Sequence, residues 1–237
     1  MKIIFFLSLA LNFLFATVHL QTQTTKIFDV TQNSATINIP NLSIGQSGVV
    51  VTDIDENSII LAQAIITETS NSNSTIEFLD TKVLLQDAIP TTKLRPVDGD
   101  SFILNHLYNT SLLIVPNETA KQSVQELYKN QNFLSEDFFA AYLKLINKPV
   151  PTKETFLAFA QKQQIGTLFI VVQNNLFIVD SLSFKVLDTI LIDNKDNSTN
   201  VPFLTKIDQI ETGLWSFDEK NINNYDLHYL KMLEIIK

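Results

Sequence analysis

The stretch Thr167-Leu168-Phe169-Ile170-Val171-Val172-Gln173-Asn174-Asn175-Leu176-Phe177-Ile178-Val179 decides the fold of this chain. A continuous apolar run, a short polar turn and a second apolar run are typical of two strands joined by a hairpin. Gly166 precedes the first strand and ends a predicted helix. Helices and further strands surround this hairpin, and their alternation predicts an α/β layer with mixed pairing.

The second half of the chain alternates between the periods of strands and helices. Its predicted strands are Leu112–Val115, Thr167–Val172, Leu176–Val179 and Lys185–Ile192. Its predicted helices are Glu118–Asn130, Ser135–Leu145, Lys153–Gln163 and Asn224–Ile236. Asn117, Ser135 and Thr152 are candidate N-caps, because a short polar side chain accepts a hydrogen bond from a free backbone N–H. We therefore expect an α/β domain with a C-terminal helix over residues 109–237.

The first half of the chain is rich in short strands with turns between them. The predicted strands are Lys26–Val30, Ala35–Ile39, Gly48–Asp53, Ile59–Ile66, Thr75–Leu84 and Ser101–Leu104. Several short strands at regular spacing are typical of a small antiparallel barrel or sandwich. We expect this β-rich, barrel-like domain over residues 25–108, which makes the predicted fold class α+β.

The first sixteen residues predict export. Lys2 precedes an apolar run that ends near Ala16, and this is the pattern of a secretory signal peptide over residues 1–16. Later apolar runs are only strand-sized, so we expect no membrane span in the mature chain. The expected location is the periplasm, the outer membrane or the cell surface of a bacterium.

Composition excludes several functional classes. The chain contains no cysteine, which rules out disulfides, thiol catalysis and a lipid-modified N-terminal cysteine. Its formal net charge is -8, from 17 Lys and Arg against 25 Asp and Glu. Such a chain repels phosphate backbones, so we expect no nucleic-acid partner.

Residues with catalytic or metal-binding chemistry do not form a recognised motif. The histidines are His19, His106 and His228, and HExxH is absent. Gly45-Gln46-Ser47-Gly48 is interpreted as a turn into a strand, since it matches neither a nucleophile elbow nor a phosphate loop. The acidic groups considered are Asp53 with Asp55 and Glu56, Glu136 with Asp137, and Asp208 with Glu211. We interpret these acidic groups as turns or helix starts and Trp215 as partly buried, and expect no catalytic residue, metal, cofactor or enzyme activity.

Motifs that occur in order along the chain resemble a known family. They are Gly45–Val51, Gly99-Asp100, Leu113–Asn117, Asn132–Asp137, Ile165–Val171, Asn175–Leu187, Pro202-Phe203 and Asn224-Tyr225. Together they are similar to the N-terminal domain of the plasminogen-binding surface proteins of Helicobacter and relatives. The resemblance covers nearly all of the mature chain.

The resemblance implies a non-enzymatic envelope or surface protein that recruits host plasminogen through lysine. Plasminogen kringles bind an ammonium and a carboxylate together, and a chain-terminal lysine carries both groups. The sequence ends at Lys237 and lacks the family's basic tail, so Lys237 is the candidate binding residue. The alternative is a periplasmic structural or assembly module that docks onto other envelope proteins.

Overall fold

The structure is a computed structural model, and it describes residues 18–55, 57–79, 94–207 and 222–237. The strands of the first half are β1 (Gln23–Phe28), β2 (Ser34–Ile37), β3 (Ser47–Ile54), β4 (Asn57–Thr69), β5 (Ser74–Leu79) and β6 (Ser101–Leu104). They form a closed barrel in the order β1-β2-β5-β4-β3-β6. The predicted small β-structure is therefore a barrel.

Apolar side chains from one face of each strand fill the interior of the barrel. All neighbouring strands are antiparallel, and closure gives both edges of each strand a partner. Inward-facing side chains from all six strands are completely buried or nearly so: Ile27, Ile37, Val50, Ala64, Ile66, Ile76, Phe102 and Leu104. Because successive strand residues point to opposite faces, every second residue enters this core.

The second half forms an α/β layer with four helices. Its strands are β7 (Thr110–Ile114), β8 (Asn132–Leu134), β9 (Thr167–Val172), β10 (Asn175–Asp180) and β11 (Val186–Leu191). Its helices are α1 (Glu118–Leu127), α2 (Glu136–Leu145), α3 (Lys153–Gln163) and α4 (Tyr225–Met232). The sheet order is β11-β10-β9-β7-β8, with β7 parallel to β8 and β9 and the other pairs antiparallel. The fold is α+β with a mixed sheet, as predicted.

Both faces of this sheet are covered. Helix α1 packs on one face, where Val124 joins the core around Phe169 and Val171. Helices α2, α3 and α4 pack on the other face, around Leu168 and Ile170. Strand β9 lies between these two cores, which is why all six of its residues are buried and its sequence is continuously apolar.

Two helices are shorter than predicted, and one strand was not predicted. Helix α1 ends at Leu127, because the chain turns at Tyr128 and then forms β8 parallel to β7. Helix α4 ends at Met232, because Glu234 adopts a left-handed φ of 59°. The N–H of Ile235 then donates to the carbonyl of Leu230 at 2.9 Å, which closes the helix end.

The first described residues lie against the α/β layer. The N–H of Val18 donates to a carboxylate oxygen of Asp188 in β11 at 3.0 Å, and Leu20 packs against the core around Phe169. The predicted export signal and the end of the predicted strand Thr75–Leu84 lie outside the described residues. Within the described ranges, no helix combines the length and the apolar composition that crossing a bilayer requires.

Candidate functional site

The histidines occupy separate positions rather than one site. His106 is exposed in the turn between β6 and β7, and the carbonyl of His19 accepts a hydrogen bond from Asn105. On α4, the His228 ring lies 2.9 Å from the carbonyl of Pro151, and burial lowers the pKa of this histidine. Among the described residues, no three His, Cys, Asp or Glu side chains come together to hold a metal.

The acidic pair at the start of α2 holds neighbouring segments in place. Glu136 is buried and accepts a hydrogen bond from the ammonium of Lys121 at 2.6 Å. Asp137 accepts hydrogen bonds from the Thr205 hydroxyl at 2.6 Å and from the N–H of Lys206 at 2.8 Å. Both carboxylates are engaged within the fold, which agrees with their interpretation as a helix start.

Of the remaining acidic and aromatic candidates, only two lie within the described residues. Asp53 accepts a hydrogen bond from the Ser58 hydroxyl at 2.5 Å, and Asp55 lies exposed in the turn between β3 and β4. Four residues that the sequence singled out lie outside the described ranges: Glu56, Asp208, Glu211 and Trp215.

A buried polar site lies among the described residues, where the barrel meets the α/β layer. It consists of Ser47, Tyr108, Asp180, Leu182 and Ser183, and is called the Asp180 joint below. The hydroxyls of Ser47 and Tyr108 each donate to Oδ2 of Asp180 at 2.5 Å. The N–H groups of Leu182 and Ser183 donate to Oδ1 at 2.9 and 2.6 Å. One carboxylate therefore bonds to the barrel, to the connection before β7 and to the turn after β10.

Backbone geometry brings these segments unusually close. Gly45, which has a φ of +89°, precedes β3, and its carbonyl accepts a hydrogen bond from the Ser183 hydroxyl at 2.7 Å. A Cβ on Gly166 would lie 2.3 Å from the carbonyl carbon of Leu107, so only glycine fits there without a backbone shift. Gly45 and Gly166, each from one of the sequence motifs, therefore permit the close approach of the barrel to the α/β layer.

The electrostatics of the joint follow from burial. Asp180 has no exposed surface, and Tyr108 is 1% exposed. Burial raises the pKa of Asp180, while its hydrogen bonds from Ser183, Ser47, Tyr108 and Leu182 act in the opposite direction. Burial and the nearby Asp180 charge raise the pKa of Tyr108 well above its ordinary value. Because a substrate in solution does not reach this carboxylate, the arrangement suits attachment rather than catalysis.

A second buried polar contact lies beside the joint. The Gln46 side chain donates to the Asn105 side-chain oxygen at 2.8 Å. The amide nitrogen of Asn105 donates to the carbonyls of His19 and Gln21 at 2.8 and 2.9 Å. Asn105 therefore ties the N-terminal described residues to the entrance of β3.

Sequence reasoning missed Asp180 and Tyr108 as site residues. The available signal was weak: Asp180 follows the apolar run Leu176–Val179 and precedes a turn, where an exposed aspartate is equally common. Its hydrogen-bond partner Ser47 lies 133 positions earlier in the chain. No local pattern reports such a contact.

Lys237, the predicted binding residue, is exposed at the end of the segment that follows α4. Ile235 and Ile236 beside it are 48% and 38% exposed. The Glu234 carboxylate lies 3.6 Å from the Lys185 ammonium, next to β11. Glu234 adopts a left-handed φ of 59°, and residues 234–237 are exposed.

The chain matches a known protein family over most of its length. The family described as "Plasminogen-binding protein pgbA N-terminal" matches residues 22–233. The chain belongs to this family. The match spans both the barrel and the α/β layer and ends at Leu233, directly after α4. It confirms the resemblance read from the motifs.

Two members of the PgbA N-terminal family come from Helicobacter pylori. The plasminogen-binding proteins PgbA of strains J99 and 26695 are each 24% identical to this chain over 192 residues. The alignments cover 80% of this chain and 42% of each relative, so the chain spans less than half the length of these curated relatives. No solved structure shows significant similarity to the chain.

The family motifs contribute directly to the Asp180 joint. Ser47 comes from the Gly45–Val51 motif, and Asp180 comes from the Asn175–Leu187 motif. Gly166 comes from the Ile165–Val171 motif and packs against the connection that carries Tyr108. What these motifs specify in this structure is the attachment of the barrel to the α/β layer.

Proposed function

We propose that this chain is an exported, non-enzymatic protein of the bacterial envelope that binds plasminogen. The observation that carries the proposal is the family match over residues 22–233, together with relatives named for plasminogen binding. The family and these relatives are named for binding rather than for catalysis. The apolar segment after Lys2 supports export, and the expected location is the cell surface, the outer membrane or the periplasm.

Lys237 is the binding residue in this proposal. In a chain that ends at Lys237, this residue presents an ammonium and a carboxylate together, the pair that kringle modules recognise. Its exposure after the end of α4 supports access by a large partner. A single lysine anchor gives weak binding, so we expect strong capture only where several copies of the protein act together.

Surface plasmon resonance with immobilised plasminogen tests the lysine mechanism. We expect deletion of Lys237 to weaken binding by about tenfold or more, since a charged hydrogen-bonded contact contributes roughly 1.5–3 kcal/mol. A free lysine analogue should compete with the wild-type chain. Lys195→Ala is the matched control, because it removes another exposed lysine that is paired with Asp193 at 2.9 Å. Equal binding by the wild-type and deleted chains would refute the role of Lys237.

The second candidate function is a structural or assembly module of the periplasm. It is favoured by the Asp180 joint, because the family motifs meet in the interior rather than on an exposed surface. Protease treatment of intact cells separates the two functions. A surface protein is cleaved, whereas a periplasmic one is protected until the outer membrane is opened. Co-purification after mild crosslinking then shows whether envelope proteins accompany the protected chain.

A further inference from the structure

The Asp180 joint bonds two parts of the fold through one carboxylate. Ser47 belongs to the barrel, Tyr108 to the connection that follows β6, and Leu182 and Ser183 to the turn between β10 and β11. The joint is also closed from outside, because Asp180 is completely buried. A change in the charge of the Asp180 carboxyl therefore affects the contact between the barrel and the α/β layer.

The charge of Asp180 has no cationic counterpart among the described residues. The ammonium of Lys185 lies at the start of β11 but pairs with Glu234. The connection that carries Tyr108 also carries His106, whose side chain is exposed. Strand β3 has no charged residue before Asp53. An ionised Asp180 is therefore stabilised by neutral hydrogen-bond donors, which offset burial only in part.

We propose that the Asp180 joint is a pH-sensitive attachment, in which a proton taken up from solvent by Asp180 tightens the contact between the barrel and the α/β layer. The proton resides on Oδ2 and reverses the hydrogen bond to the Ser47 hydroxyl, which can accept as well as donate. Leu182 and Ser183 continue to donate to Oδ1. This attachment is independent of plasminogen binding.

The sign follows from the direction of the shift. Burial raises the pKa of Asp180 in the folded protein above that of an unfolded aspartate. The resulting stability is complete below the ordinary aspartate pKa and is lost as pH rises through the higher folded value. Release of the proton thus loosens the joint as the surroundings change from acidic to neutral.

Thermal unfolding of the wild-type chain and of Asp180→Asn between pH 4 and 8 tests this inference. The variant keeps the shape of the side chain but does not titrate. We expect the wild-type midpoint to fall relative to the variant by about 3 °C or more as pH rises. Asp196→Asn is the control with the opposite sign, because hydrogen bonds from Ser198 lower the pKa of that exposed carboxyl. Wild-type and Asp180→Asn curves that stay parallel would overturn the proposal.

A second measurement needs no variant. Carboxyl ¹³C NMR of the wild-type chain follows the protonation of Asp180 itself. A titration midpoint above the ordinary aspartate value supports the pH-sensitive attachment, and a midpoint at or below that value overturns it. Hydrogen exchange of the Leu182 and Ser183 amides, corrected for intrinsic rates, should slow in acid on the same titration curve. Exchange rates that do not follow the Asp180 titration would show that protonation of Asp180 does not affect the joint. That result would also count against the proposal.

Discussion

Asp137 and Asp180 are the same residue type in opposite electrostatic surroundings. Asp137 lies near the surface at the start of α2, where hydrogen bonds from Thr205 and Lys206 lower its pKa. Asp180 lies in the interior, where the loss of water raises its pKa despite four hydrogen bonds. At the scale of single residues, burial decides the direction at Asp180 and hydrogen bonding decides it at Asp137.

Replacement of Asp137 should reduce stability in a pH-dependent way. The lowered pKa means that Asp137 contributes stability above the ordinary aspartate value and loses it as pH falls through the folded value. We expect Asp137→Asn to lower the unfolding midpoint by about 2 °C at pH 7 and to have a smaller effect near pH 3. Thermal scans at both pH values provide the measurement.

The partner residue supplies the control for this prediction. Thr205→Val removes the hydroxyl that donates to Asp137 at 2.6 Å but keeps the side-chain shape. In a double-mutant cycle at pH 7, the second substitution should cost less when the first is already present. Strictly additive losses would show that the hydrogen bond does not stabilise the fold.

Helix α3 illustrates how local sequence determines one element. The Thr152 hydroxyl accepts a hydrogen bond from the N–H of Thr155 at 3.3 Å, and the Thr155 hydroxyl lies 2.8 Å from the N–H of Thr152 and accepts from it. Two backbone groups that a helix start leaves free are thus satisfied by side chains. The predicted N-cap at Thr152 is confirmed, as are those at Asn117 and Ser135.

Loss of this cap should destabilise the chain measurably. We expect Thr152→Ala to reduce the free energy of unfolding by about 1 kcal/mol, because it removes the acceptor for the Thr155 N–H. Thr152→Ser retains the hydroxyl and should stay close to the wild type. Denaturant unfolding at constant pH measures both variants. Equal losses for Ala and Ser would point to the methyl group rather than the cap.

Elements with a local signal were predictable from the sequence, whereas those set by distant contacts were not. Alternation revealed the barrel strands, and three helix starts followed from their caps. Strand β8 has only three residues, and it forms because β7 lies alongside it. The end of α4 depends on a left-handed turn at Glu234, a residue type that gives no such signal. The Asp180 joint needs Ser47 and Asp180 together, and periodicity does not report that pairing.

The whole molecule depends on how closely the barrel approaches the α/β layer. Gly166 lies against the backbone of Leu107 and Tyr108, in the connection that leads from the barrel to β7. The hydroxyl of Ser181 next to the joint donates to the carbonyl of Ile165 at 2.5 Å. The Ser181 hydrogen bond fixes the turn after β10 to the residue before Gly166, and Gly166 in turn packs against the connection from the barrel.

A methyl group at Gly166 should therefore destabilise the chain as a whole. The new Cβ would lie 2.3 Å from a backbone carbon, so a backbone segment has to shift. We expect Gly166→Ala to reduce the free energy of unfolding by about 3 kcal/mol, at the upper end of overpacking effects. Calorimetry measures the loss and shows whether barrel and layer still unfold in one transition.

The matched control is Gly99→Ala in the barrel. Its Cβ would meet no atom within 4 Å, and only the positive φ of 94° opposes the substitution. We expect a loss of about 1 kcal/mol there. A smaller effect at Gly166 than at Gly99 would contradict the importance of the close approach.

The first and the last described segments of the chain make contacts with strand β11 and with the residue just before it. Val18 is bonded to Asp188, and Glu234 is paired with Lys185, three positions earlier. Val18 packs against the core on the α1 face of the sheet, whereas Leu233 belongs to the core on the opposite face. Strand β11 is the edge strand of the sheet, so one of these segments lies on each side of it. Detachment of β11 from β10 would therefore release both segments at once.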